Sequence, residues 1–163
     1  MLTCTRPAAL LVVAGLVLSL AIACAHRPTG GDPESARRTA DLFHHRIRWK
    51  DYGGASLLLV PEKREAFEEA RRLLNDSRDL TISDYQLDEL QLVEGGTAAR
   101  VVSKIFWYRL PSVSAREDTV VTDFVYRDGT WMIARQVGGP FDEELSAPYV
   151  PPDADAGTGS AAR

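Results

Sequence analysis

The sequence YRDGTWMI, at residues 126–133, contains the clearest structural signal in the chain. Asp128-Gly129 separates two runs rich in β-branched and aromatic residues, which is the strongest short-range sign of a tight β-hairpin. The flanking runs are residues 119–126 and 130–137, and we expect each to be a strand. The foldable part of the chain therefore ends in an antiparallel hairpin.

Two longer strands are expected before this hairpin, joined to it by a loop over residues 111–118. In the first strand, residues 80–93, the parity of the apolar positions slips as the strand proceeds, from Leu80 and Ile82 to Tyr85 and Leu87 and then to Leu90 and Leu92. A slip of one residue turns side chains to the other face, so this pattern predicts a bulge or bend. Residues 94–96 form a tight turn, and residues 98–110 give a second strand that is apolar on both faces.

The residues before the strands have a helical period. Ala36, Ala40, Phe43 and Ile47 recur at spacings of four, three and four, which places them on one face of a helix that begins near residue 34. Gly53-Gly54 is the expected stop. Residues 55–60 suggest a further helical turn or two, and another helix is expected from Pro61-Glu62 to Asn75-Asp76.

This order predicts an α+β fold in which N-terminal helices pack on a curved four-stranded antiparallel sheet. The hairpin of residues 126–133 resembles the "aromatic, Asp-Gly-x-Trp, apolar" terminal hairpin of the NTF2-like (cystatin-like, α+β roll) superfamily. The upstream segments agree with this resemblance, which covers residues 34–137. It implies a cone-shaped fold with a pocket between sheet and helix. It implies no single function, because the superfamily includes isomerases, dehydratases, transport factors and catalytically silent domains.

The N-terminus indicates export. Arg6 precedes an uncharged run that ends at Ala23-Cys24, as in a secretory signal peptide over residues 1–23. The cysteine after a small residue resembles the lipobox of bacterial lipoproteins, which implies lipidation of Cys24 and attachment to a membrane. Ala21 departs from that pattern, and an uncleaved membrane anchor is the alternative. Both interpretations place the body outside the cytosol, facing the periplasm, and Ala25 after the cysteine favours the outer membrane.

The regions next to the predicted domain have the composition of tails. Residues 24–33 are rich in Gly, Pro and polar residues and are expected to be a tether. The domain is expected over residues 34–141, and residues 142–163 are expected to be disordered because they are acidic, Pro-rich and poor in apolar residues. Cys4 and Cys24 are the only cysteines, so a chain that starts at Cys24 has no disulfide to stabilise it.

Composition and motifs suggest neither nucleic acid nor metal as a ligand. The formal net charge is −4, and the basic residues are interleaved with acidic ones. His44 and His45 are adjacent and therefore point about 100° apart on a helix, and Asp41 and His45 lack a third ligand. We interpret this segment as a solvated helix face, and we expect neither a metal nor a cofactor.

Asp123 is the weak candidate for catalysis. It lies in the middle of the third strand with Val121 and Val125 on its own face, where burial would raise its pKa and suit proton transfer. The other face, which includes Val120 and Phe124, is at least as apolar. If that face is the core, Asp123 meets water.

Aromatic residues suggest a binding surface. The residues concerned are Phe106, Trp107, Tyr108 and Trp131. Packing within the sheet explains most aromatic residues of this kind, but aromatic residues on both faces of one strand also suggest that a ligand or protein covers the face without helices. An envelope protein or a second copy of the chain would fit there.

We therefore expect a cell-envelope lipoprotein, anchored through Cys24, whose domain binds a partner or small ligand without catalysing a reaction. The alternatives are a small periplasmic isomerase or hydrolase that uses a cone pocket, and a structural subunit of an envelope assembly.

Overall fold

Four short helices precede a four-stranded sheet in this computed structural model, which describes residues 30–151. The helices are α1 (Pro33–Arg48), α2 (Tyr52–Ser56), α3 (Pro61–Leu73) and α4 (Asp76–Asp79); the strands are β1 (Leu80–Val93), β2 (Ala98–Arg109), β3 (Arg116–Arg127) and β4 (Thr130–Val137), and α5 (Asp142–Leu145) follows. The strands pair antiparallel in the order β1-β2-β3-β4, with the helices on the inner face. The α+β fold class is confirmed.

The N-terminal leader and Cys24 lie outside the described residues. Within residues 30–151, none of the helices is both long enough and apolar enough to cross a bilayer.

Strand β1 contains two bulges. Its register with β2 shifts between Ile82 and Asp84 and again between Leu87 and Glu89. Both shifts coincide with the slips in apolar parity, which confirms the sequence-based prediction. Each bulge restores the apolar side chains to the inner face, where Tyr85 and other half-buried residues pack against the core.

The predicted hairpin joins β3 to β4. Asp128 and Gly129 have φ angles of 54° and 78°, as a two-residue turn that follows the strand twist requires. Trp131, the second residue after the turn, is buried, and its indole Nε1 donates hydrogen bonds of 3.1 Å to the Asp32 carbonyl and to Ser35 Oγ. The hairpin thereby holds the start of α1.

Helix α1 begins at Pro33, in agreement with the predicted start near residue 34, but it ends before the predicted stop. Asp32 caps it by accepting hydrogen bonds from the backbone N–H groups of Glu34 (3.2 Å) and Ser35 (3.0 Å). Gly31 N–H donates to the Gly96 carbonyl at 2.8 Å, so residues 31–33, predicted as part of a tether, belong to the folded unit. The helix ends at Arg48, and Gly53-Gly54, predicted as its stop, lies inside α2.

The folded unit also extends beyond residue 141, where disorder was predicted. Helix α5 ends at Leu145, which is fully buried. Lys63 Nζ donates hydrogen bonds to the carbonyls of Leu145 (3.0 Å) and Ala147 (2.7 Å). The prediction was wrong for residues 142–145 because a few well-placed contacts order a segment whose average composition is polar.

Aromatic rings fill the space between the helices and the sheet. Phe43 of α1, Phe67 of α3 and Phe141 are fully buried, and their ring centroids lie 5.5–6.4 Å apart. We call these residues the three-ring cluster. Aliphatic residues complete the core around it, among them Ile47, Leu59, Leu80, Ile105, Ile133 and Leu145.

Candidate functional site

The four predicted binding aromatics do not form one site. Phe106 and Tyr108 are half-buried on the outer face of β2. Trp107 and Trp131 lie on the inner face, and both belong to the core. Alternation along β2 explains this division, because neighbouring residues of a strand point to opposite faces.

Asp123 lies on the outer face of the sheet. It is opposite Arg100 of β2 and Arg135 of β4, with carboxylate-to-guanidinium distances of 2.7 Å and 3.7 Å. Val120 and Phe124 are buried on the opposite side of β3. The sequence left both orientations open, and the structure has the one that places Asp123 outside the core.

His44 is buried, which corrects its interpretation as part of a solvated helix face. Its Nδ1 lies 2.7 Å from the Ala40 carbonyl, so this nitrogen carries the proton and donates. Its ring stacks on Tyr85 at a centroid distance of 5.1 Å. Burial lowers the pKa of His44, and the imidazole is therefore neutral near pH 7. Its neighbour His45 is exposed.

The ring beneath His44 is itself fixed. Tyr85 donates its hydroxyl proton to Asp41 Oδ1 at 3.0 Å. Burial, followed by this hydrogen bond, raises the pKa of Tyr85 to about 12. Asp41, considered above with His45 as a ligand pair, thus accepts a hydrogen bond from Tyr85 instead. Asp41, Tyr85 and the neutral His44 form one connected group between α1 and β1.

We expect His44 to make stability depend on pH. The folded-state pKa lies below the ordinary value of 6.5, so the unfolded chain binds more protons as the pH falls. The contribution of His44 to the free energy of unfolding should be complete above pH 6.5 and should decline as the pH falls from there towards the lowered pKa. Urea unfolding at several pH values between 8 and 5 measures this dependence. The slope of the unfolding free energy against pH should be smaller in His44→Gln, whereas His45→Gln should keep the slope of the wild type.

A buried ion network lies at the end of the sheet where β1 begins and β2 ends. Asp76 pairs with Arg71, at 3.0 Å, and with Arg109, and Arg71 also pairs with Glu144 of α5. Arg71 and Asp76 are 3% and 0% exposed. We call these four residues the ion network. Burial lowers the pKa of Arg71 to about 10, against the opposing effect of Asp76, so Arg71 remains a cation at neutral pH.

Sequence reasoning missed the ion network, although one signal was present. Arg71 follows Phe67 by four residues and therefore shares its helix face. Its guanidinium lies 5.1 Å from the Phe67 ring centroid and 4.5 Å from that of Phe141. A cation on the apolar face of an amphipathic helix indicates a buried pair, but the sequence does not identify the partners, because Asp76 begins the next helix and Glu144 is remote in sequence.

A cleft opens between the end of β2 and the β2–β3 loop. Its volume is about 240 Å³, and it is lined by Trp107, Arg109, Ser112, Ser114 and Arg116. We call it the loop cleft. Trp107 is one of the lining residues, with Nε1 donating to Asp118 Oδ2 at 2.7 Å and the Arg116 guanidinium 5.1 Å from its ring centroid. The arrangement places two guanidinium groups and two hydroxyl groups around a small concave space.

Three other clefts differ in charge from the loop cleft. The largest, about 840 Å³, follows the exposed face of α3 and is lined mainly by glutamates. One of about 530 Å³ lies between α1 and β1 and includes Glu34 and Asp41. One of about 370 Å³ lies on the outer sheet face and includes Glu94 and Asp123. Each therefore contains carboxylates.

Comparison with known proteins shows similarity of fold. No protein-family model and no curated protein sequence matches the chain. Among solved structures, an NTF2-like protein of unknown function from Pseudomonas putida KT2440 matches 74% of this chain and 96% of its own length, with a TM-score of 0.54 and 12% identity.

Two further structures carry names that refer to activities. A ketosteroid isomerase-like protein from Erwinia carotovora atroseptica matches 65% of this chain and 93% of its own length (TM-score 0.52, 11% identity). An epoxide hydrolase from M. tuberculosis matches 71% and 92% (TM-score 0.51, 14% identity). At such identities the likeness concerns architecture alone. The chain thus has an α+β fold similar to that of NTF2-like proteins.

Proposed function

We propose that the chain is a bacterial cell-envelope lipoprotein, anchored through Cys24, whose NTF2-like domain binds a partner protein or a small ligand without catalysing a reaction. The observation that supports binding at the exterior is the three-ring cluster. It occupies the space between α1, α3 and the sheet, where related folds would hold a substrate. The candidate base Asp123 lies outside that space, between two arginines.

The position of the first described residues is compatible with a tether. Gly31 is hydrogen-bonded to Gly96 in the turn between β1 and β2, so the chain enters the domain at that end of the sheet. A lipid on Cys24 would hold this end towards the membrane. The β2–β3 loop, at the other end, would then face away from it.

Cys24→Ser is expected to abolish incorporation of radiolabelled palmitate and to release the protein from the membrane fraction. Acylation needs the thiol, and a serine hydroxyl does not replace it. Labelling the wild type and the variant in a bacterial host measures this, with Cys4→Ser as the matched control. Label retained on Cys24→Ser would refute the anchor.

A photo-crosslinking amino acid tests partner binding at Tyr108, on the outer face. We expect a defined adduct from this position in intact envelopes, and none from Arg38 on the exposed side of α1. An adduct of twice the chain mass would identify a second copy as the partner. Equal adducts from both positions, or none from Tyr108, would contradict a partner surface on this face.

A further inference from the structure

We propose that the loop cleft binds a small soluble oxyanion, through a phosphate or carboxylate group held by Arg109 and Arg116. The cleft is formed where β2 and β3 separate into their connecting loop. Trp107 and Arg116 are directly opposite each other in the β2–β3 register, and Arg109 follows Trp107 by two residues. Both guanidinium groups therefore reach the same small space.

The charge of the lining selects for anions. Arg109 and Arg116 line the loop cleft together with two serines and a tryptophan, and the lining includes no carboxylate. The nearest acidic side chains along β3 each have a partner: Glu117 pairs with Lys104 at 3.4 Å on the outer face, and Asp118, next to the cleft, accepts the N–H of Trp107. The residues that line the cleft thus contribute cations and no carboxylate, although Arg109 shares its charge with the buried Asp76 beneath it.

The binding groups are held in place before a ligand arrives. Asp76, fully buried, anchors Arg109, whose side chain is 26% exposed and retains other N–H groups for a ligand. The Trp107 ring supports the Arg116 guanidinium. Ser112 Oγ accepts the Ser114 N–H at 3.3 Å, which orders the loop and leaves the Ser112 hydroxyl proton free to donate. Planar guanidinium groups match the two oxygens of a carboxylate or phosphate.

The volume restricts the size of the ligand. About 240 Å³ equals the liquid volume of about eight water molecules. This is smaller than the roughly 300–1,000 Å³ of pockets for drug-sized ligands. The loop cleft therefore suits inorganic phosphate, a small phosphate ester or a short carboxylic acid.

The source of the anion follows from the orientation of the domain, and this step alone rests on the proposed function. The chain enters beside Gly96, whereas the loop cleft lies beyond the opposite end of β2. Twelve strand residues separate the two ends by about 40 Å. An anion in the loop cleft would accordingly be dissolved in the periplasm and would not be a headgroup of the anchoring membrane.

Titration of the ¹⁵N-labelled full-length protein in detergent with inorganic phosphate, at constant ionic strength, tests the proposal. The chain has three indole N–H groups, those of Trp49, Trp107 and Trp131, as internal reporters. We expect a saturable shift of the Trp107 signal alone. Arg116→Met should weaken binding at least tenfold, whereas Arg37→Met, an equal change of charge on α1, should leave the affinity within twofold.

Distinct outcomes would overturn the proposal. Equal shifts with chloride, or equal weakening by Arg37→Met, would show that phosphate acts only by general screening. A shift of the Trp107 signal by phosphatidylglycerol added as mixed micelles in the same detergent, but not by phosphate, would identify a headgroup and refute a soluble ligand. Phosphate binding does not require Cys24. If the wild type took up no palmitate, the lipid anchor would be refuted, but the phosphate titration would be unaffected.

Discussion

Phe141→Ala is expected to lower the free energy of unfolding by about 3–5 kcal/mol. The side chain is fully buried, and its ring packs edge-on against Phe67 and Phe43 at centroid distances of 5.5 Å and 6.4 Å. Truncation removes apolar contacts, leaves a cavity between rigid elements and takes one of the two aromatic faces away from the Arg71 guanidinium. Urea denaturation followed by circular dichroism measures the change, with an unaltered m-value.

Phe106→Ala is the matched control, because it removes the same ring from a half-buried position on the outer face. Its effect should be less than half that of Phe141→Ala, since fewer contacts are lost and the site opens to water. A Phe141→Ala loss below about 1 kcal/mol would contradict the view that the chain after β4 is part of the core.

The C-terminal segment shows why a domain boundary is difficult to predict from composition. Residues 142–151 are mostly acidic, proline or small, and averaged over that window they cannot form a core. Leu145 alone is buried with Phe141, and Arg135 Nε donates to the Ser146 carbonyl at 2.7 Å. Such contacts depend on residues of α3 and β4, so the boundary becomes visible only once the chain is folded.

The strands were predictable because their signals are local. Alternation of period two, the Asp128-Gly129 turn and the parity slips in β1 each depend on neighbouring residues. The same slips located both bulges to within a residue or two. Helix α1 was also recognisable from its spacing, although Gly53-Gly54 did not mark its end, because these glycines lie inside α2, which begins at Tyr52 and is capped by Asp51.

The candidate sites were less predictable, for a physical reason. His44 is adjacent to Phe43 on the edge of the apolar stripe, and whether such a residue is exposed depends on how deeply α1 packs against Tyr85. The loop cleft depends on two arginines at the ends of different strands. Their proximity follows from the β2–β3 register, which the sequence indicates only approximately.

Asp76→Asn is expected to destabilise the fold by about 3–5 kcal/mol, because it leaves the buried Arg71 and the partly exposed Arg109 without their shared partner. Asp76 is fully buried and pairs with both Arg71 and Arg109, and its carbonyl accepts the Tyr52 hydroxyl at 3.3 Å. An amide keeps the shape but removes the negative charge, so Arg71 keeps Glu144 as its only ion-pair partner in residues 30–151. Urea unfolding at pH 7 measures the loss.

Two further variants separate electrostatics from packing. Asp79→Asn, one helical turn away and paired with the exposed Arg78, should leave the urea midpoint almost unchanged. Arg71→Met combined with Asp76→Asn should be less destabilised than the sum of the single variants, because each single variant breaks the Arg71–Asp76 pair and the double variant loses that pair only once. Strict additivity would show that Arg71 and Asp76 do not interact energetically, and it would contradict this prediction. Since Asp76 also anchors Arg109, Asp76→Asn should weaken phosphate binding at the loop cleft as well, which would link the buried ion network to the proposed ligand site.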